Sequence, residues 1–154
     1  MDDQDFKAAM GRLGSGVCII TAATANGQPV GFTATSLTSL SLNPPLVLFC
    51  LGKSANSLSV FEAADSFGVC VLAHEQQGLS NLFAGKAEDK FADTDTWLTD
   101  KGYPLIQDCL AALECEKREV FQGGDHLIFV GEVKRVHLGE GAPLIYYQGK
   151  YHTL

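Results

Sequence analysis

At 154 residues the chain is long enough for one domain with a substantial core, and its make-up, 46% hydrophobic and 19% charged, is that of an ordinary globular protein. A formal net charge of −7 argues against nucleic acid or an anionic membrane surface as the partner of the whole molecule, so an anionic ligand needs a local positive site. No apolar run approaches the roughly 20 residues that span a bilayer, and the opening MDDQDFKAAM lacks the basic and apolar regions of a secretory signal.

Residues 3–13 predict a short amphipathic helix, with Phe6, Ala9, Met10 and Leu13 on one face, Asp3 or Asp5 as the cap, and Gly14 and Gly16 as the stop. Val17–Thr24 reads as a strand; Asn26-Gly27 then turns the chain back antiparallel over Val30–Thr35. Leu46–Leu51 is a buried strand entered through Pro44-Pro45, residues 56–64 a helix of one or two turns, Phe67–Ala73 another strand, and residues 75–84 a second short helix. Leu110–Phe121 and His126–Leu138 form a long hairpin, with Glu114, Glu116 and Arg118 set against Lys134 and Arg135 along its polar edge, and Leu144–Tyr147 is a last short strand. Many short strands joined by turns, with few helices, predict a mainly β, closed or partly closed barrel in a single domain, 1–154.

The familiar chemical motifs are missing. GRLGSG at 11–16 has the wrong spacing for a dinucleotide fingerprint and follows a helix, not a strand. There is no phosphate-binding GxxxxGK[ST], no HExxH, no GxSxG, and the four histidines are scattered, so no metal is expected. The five cysteines, Cys18, Cys50, Cys70, Cys109 and Cys115, form no CxxC and sit largely in apolar runs, as reduced thiols of a cytoplasmic protein do. The protein is expected either to bind a ligand or to borrow its chemistry from a cofactor.

Three segments carry the remaining signal. The hydroxyl row Thr33, Thr35, Ser36, Thr38, Ser39 and Ser41 offers uncharged donors and acceptors beside a buried strand, suited to a flat ligand with polar edges and apolar faces, although an edge strand with nothing bound has the same composition. KSANS at 53–57 places Lys53, Ser54, Asn56 and Ser57 before a helix, which suits a phosphate and also plain capping. His126 begins a strand after the Gly-Gly-Asp turn, where it can face a cleft or water.

Together these pieces resemble the flavin reductase-like family, FMN-binding split barrels that include the reductase components of two-component flavin monooxygenases. The matching segments run in family order over nearly the whole chain: RLGSGVCIITA (12–22), GFTATSLTSLSLNPPLVLFCL (31–51), SANS (54–57), FGVCVLA (67–73), LFAGKAEDKF (82–91), GYPLI (102–106), AALECE (111–116), GGDHLIFVGEV (123–133) and PLIYYQGKY (143–151). The resemblance implies a homodimer of six-stranded Greek-key split barrels with short flanking helices, binding FMN or FAD near the subunit interface, with NADH or NADPH as co-substrate. It implies that Thr33, Ala34, Thr35, Ser36 and Ser39 edge the isoalloxazine, helped by the backbone at Cys50 and Leu51. It further implies that Ser54, Asn56 and Ser57 hold the phosphate with Lys90 or Lys53, that Phe83 and Ala84 lie along the ring or ribityl chain, and that His126 and Tyr151 border the nicotinamide. Thr35 departs from the Asn or Ser expected there.

The expected activity is NAD(P)H:flavin oxidoreduction, His126 positioning the nicotinamide or shuttling a proton, with reduced flavin passed to a partner monooxygenase. Two alternatives stand beside it: an electron carrier that keeps its FMN, and a non-catalytic ligand-binding module on the same barrel.

Overall fold

The computed structural model describes residues 1–154. Helix α1 (Asp3–Met10) leads into strands β1 (Ser15–Gly16), β2 (Cys18–Ala23), β3 (Pro29–Ala34), β4 (Thr38–Leu42) and β5 (Pro45–Gly52). Helix α2 (Leu58–Ala63), strand β6 (Ser66–Val71), a single 3-10 turn at His74–Gln76 and helix α3 (Gln77–Ala84) follow. The chain ends in β7 (Thr96–Leu98), β8 (Pro104–Ile106), β9 (Ala111–Gly123), β10 (His126–Leu138), β11 (Ile145–Tyr147) and β12 (Lys150–His152). Seven strands build one antiparallel sheet in the order β3-β2-β6-β9-β10-β5-β4; β1, β11 and β12 form a smaller sheet, and β7 pairs only with β8.

The hydrogen-bonded sheet therefore has seven strands where six were expected, and its edges, β3 and β4, do not pair with each other. The unexpected strand is β4, drawn from the hydroxyl row; its Ser39-Leu40-Ser41-Leu42 alternation is short and both leucines are exposed, so no buried apolar face marks it as a strand. The sheet nonetheless curls hard. Phe32 on β3 and Phe49 on β5 are five strand spacings apart in sheet order, about 24 Å in a flat sheet at roughly 4.8 Å per strand. Their ring centroids are 5.8 Å apart.

That curl wraps an aromatic core. Phe49 stacks on Phe129 at 5.0 Å and meets Phe67 edge-on at 4.9 Å, and Phe61 from α2 closes the end against Phe32 at 5.4 Å. Each buried Phe contributes about 1.5–3 kcal/mol by transfer, and each ring pair about 0.5–1.5 kcal/mol more. β2 is buried on both faces: Cys18, Ile20 and Ala22 enter this core, while Ile19, with Val17 just before the strand, packs outward under α3 and β8 with Phe83, Leu105 and Ile106.

Two local expectations are corrected. α1 is capped by Asp2, whose carboxylate accepts from the Gln4 amide at 3.1 Å, because the capping residue must stand before the first helical turn with extended backbone; Asp3 and Asp5 are already inside it. Its apolar face is also not turned inward: no residue of α1 is buried, and Phe6, Met10 and Leu13 lie open to solvent. The hairpin β9–β10 turns through only Gly124 and Asp125, Gly124 at φ 63°, as a tight turn with glycine first requires. Arg118 pairs with Glu132 across it, Lys134 pairs with Glu132 along its own strand and with Glu116 across at 3.6 Å, and Arg135 reaches Asp100. No helix is long and apolar enough to cross a membrane.

Candidate active site

A cleft of about 910 Å³ opens between β3, the turn entering α2, and the end of α3 with the loop that follows it. Its size falls in the range of roughly 300–1,000 Å³ typical of small-molecule sites. The walls are apolar: Val30 and Phe32 on β3, Leu51 on β5, Phe83 on α3 and Phe91 beyond it. Gly31 allows α3 to sit this close, because a Cβ there would meet the Phe83 ring at 3.0 and 3.1 Å and the Ile20 carbonyl at 3.2 Å.

The polar groups gather at one end. Ser54, Asn56 and Ser57 line the cleft from the turn before α2. Their backbone N–H groups donate to no carbonyl, and Ser57 caps α2 without a side-chain hydrogen bond. α2 is under two turns long, so its dipole is small and the donors are those of the turn itself. Opposite them, Lys90 donates to the Phe83 carbonyl at 2.9 Å and to the Gly31 carbonyl at 3.4 Å. Partial burial lowers its pKa. An ammonium has three donors, so one N–H remains for the cleft. Lys86, Glu88 and Asp89 stand along the rim.

His126 stands at the start of β10, paired in register with Gly52, the neighbour of the cleft residue Leu51. Its Nδ1 is 2.7 Å from Asp125 Oδ1, and its Nε2 faces Gly52, 3.8 Å from where a Cβ would stand. This pairing holds the Asp125 carboxyl below the usual carboxylate range, with Lys53 adding a smaller pull in the same direction. The carboxylate fixes the ring's orientation and leaves Nε2 as the outward atom.

The structure thus brings together Thr33, Leu51, Ser54, Asn56, Ser57, Phe83, Ala84 and Lys90 around one space. The other expected residues do not line it. Ala34 is buried in the aromatic core, Thr35 and Ser39 are exposed, and Ser36 and Cys50 are bonded to each other through hydroxyl and amide. Tyr151 lies behind α3, its hydroxyl between Ser80 and Asn81. Even Thr33 has its hydroxyl engaged, donating to the Ser80 carbonyl at 2.6 Å. Val30, Gly31, Phe32 and Phe91 escaped the sequence reading as cleft residues, since apolar residues in strand and helix contexts carry no signal separating wall from core.

A family model described as a flavin reductase like domain matches residues 10–154, nearly the full length of the chain. The chain belongs to the flavin reductase-like family. Among curated relatives of this flavin reductase-like protein, a flavin reductase of Pseudomonas putida is 39% identical over 152 residues, covering 98% of this chain and 89% of the relative. The reductase subunit of a flavin-dependent monooxygenase from Rhodococcus jostii is 39% identical over 152 residues, covering 98% of this chain and 77% of its own. Among solved structures, the NADH:FAD oxidoreductase of Streptomyces globisporus in complex with NAD and FAD fragments superposes with a TM-score of 0.93 at 35% identity, covering 98% of this chain and 92% of that one.

Proposed function

We propose that this protein is an NAD(P)H:flavin oxidoreductase, with FMN or FAD as the flavin and NADH or NADPH as the reductant, and that it supplies reduced flavin to a partner flavin-dependent monooxygenase. The observation that carries the reading is the convergence, in one cleft of a flavin reductase-like fold, of apolar walls and uncommitted donors at Ser54, Asn56 and Ser57. That donor set fits a flavin: a flat apolar body between Phe32, Leu51 and Phe83, and an anionic tail at the turn. When bound, a flavin supplies the two-electron chemistry that no side chain here provides.

The chain's own groups bind and orient. Ser54, Asn56 and Ser57 hold the phosphate, with the third N–H of Lys90 as its counter-charge. Thr33 and Ala84 edge the ring system, and the segment Ala34, Thr35, Ser36 and Ser39 with the backbone at Cys50 continues that edge beyond the cleft. His126 presents Nε2 to the nicotinamide, as a hydrogen-bonding group or a proton carrier, with Asp125 holding the ring in place. Phe83 and Leu51 offer the flavin an apolar wall.

The same reading takes the chain as one domain, 1–154, on a split barrel, for which the closeness of Phe32 to Phe49 speaks. It takes the molecule as a homodimer, since Phe6 and Met10 on α1, Leu13 just beyond it, and Val120, Phe121, Val136 and Leu138 on the hairpin are left open to solvent. It places the protein in the cytoplasm, in keeping with five free thiols. The test is NADH and NADPH oxidation by the purified protein with FMN and then FAD supplied. Flavin-dependent consumption of either nucleotide is the expected result; no consumption with either flavin refutes the activity.

A further inference from the structure

α3 forms one wall of the cleft through Phe83 and Ala84, and its seat depends on a chain of hydroxyls that lies outside the cleft. Ser80 of α3 is fully buried, with its hydroxyl 2.7 Å from that of Tyr151 on β12. Tyr151 donates to Asn81 Oδ1 at 3.1 Å. A phenol carries one proton, so Ser80 is the donor in the shorter bond. The Ser80 carbonyl accepts from Thr33 on β3, one of the cleft residues. One residue of α3 is thereby tied on one side to the main sheet and on the other to the small β1-β11-β12 sheet.

Resting on the flavin-binding reading of the cleft, we propose that Tyr151 is a positioning residue: through Ser80 and Asn81 it holds α3 in the pose that binds flavin. A Phe at 151 keeps the ring, which packs edge-on against Tyr146 at 5.4 Å, but leaves the Ser80 hydroxyl buried without its acceptor. The fraction of molecules with α3 seated then falls, and apparent flavin affinity falls in proportion.

The experiment compares Tyr151→Phe, Ser80→Ala and the double variant with the wild type. FMN dissociation constants are measured by quenching of flavin fluorescence, turnover is measured at saturating FMN, and amide exchange is followed on α3 without flavin. The expected result is FMN binding weaker by about three- to tenfold in each single variant. The double variant should be no worse than Tyr151→Phe, which already removes the bonds to both Ser80 and Asn81. Turnover at saturation should stay within about twofold, and α3 amides should exchange faster. Unchanged affinity, or unchanged α3 exchange, overturns the proposal; so does lost turnover at unchanged affinity, which would make Tyr151 a direct participant. A wild type that binds no FMN sinks the flavin reading itself, whereas wild-type binding with an unaltered Tyr151→Phe constant sinks the positioning role alone.

Discussion

The Cys50 amide donates to the Ser36 hydroxyl at 3.0 Å, bridging the β3–β4 connection to β5 where the backbone ladder leaves the sheet unclosed. The same hydroxyl also points back to the Cys50 carbonyl at 3.4 Å. One short side chain thus joins a segment leaving one sheet edge to a strand near the other.

Ser36→Ala is expected to lower stability by about 1 kcal/mol, since it leaves a half-buried amide without its partner. In thermal unfolding that corresponds to a fall of about 2–4 °C in Tm for a chain of this length. Ser39→Ala, on the exposed face of β4, is the control and should stay within about 0.5 kcal/mol of wild type. Equal effects would show that Ser36 has no closing role.

Gly31→Ala is expected to shift α3 outward. The added methyl would meet both the Phe83 ring and the Ile20 carbonyl inside ordinary contact distance, and only the ring can give way. Overpacking of this kind costs about 1–3 kcal/mol. FMN affinity should fall with stability, and Phe83→Leu in the same chain should restore part of both. Restoration of neither would mean that Phe83 is not the group displaced.

Much of this architecture is legible in the sequence. The unbroken apolar run Leu46–Leu51, entered through Pro44-Pro45, and the Gly-Gly-Asp turn place β5 and the long hairpin within a residue or two of where they lie. The SANS turn, read as a phosphate cradle, does line the cleft. The hydroxyl row is where local reading misleads: Thr33 and Ser36 hold neighbouring backbone, a role set by partners 47 and 14 residues away in sequence. Likewise Tyr151 sits near the cleft in sequence-based expectation but behind α3 in space, because the small sheet that carries it docks on that helix's far side. Nothing local in either segment encodes that docking.

Thiol chemistry offers a pH-dependent check. Burial pushes the thiols of Cys18 and Cys115 up to about 12 from an ordinary value of 9.0. A raised pKa means less thiolate at any given pH, so at pH 8 only about one molecule in ten thousand carries either as thiolate. With a thiol-specific reagent under native conditions, the half-buried Cys50 should react well before Cys18 and Cys115, and all five cysteines should react after denaturation. Rapid native labelling of Cys18 or Cys115 would contradict the packed core.

Asn56→Ala and Ser57→Ala test the anionic end of the cleft. Each should weaken FMN by about tenfold, the worth of a hydrogen bond to a charged group, and leave riboflavin, which has no phosphate, within about twofold. Equal losses for the two flavins would show that these residues do not face a phosphate.

The most direct measurement is a hydrogen-exchange footprint of FMN on the wild-type protein. Added protection is expected in three separate segments, residues 29–33, 51–57 and 83–91, which meet only around the cleft. Protection elsewhere, or none at saturating FMN, would contradict the placement of flavin between β3, the SANS turn and α3.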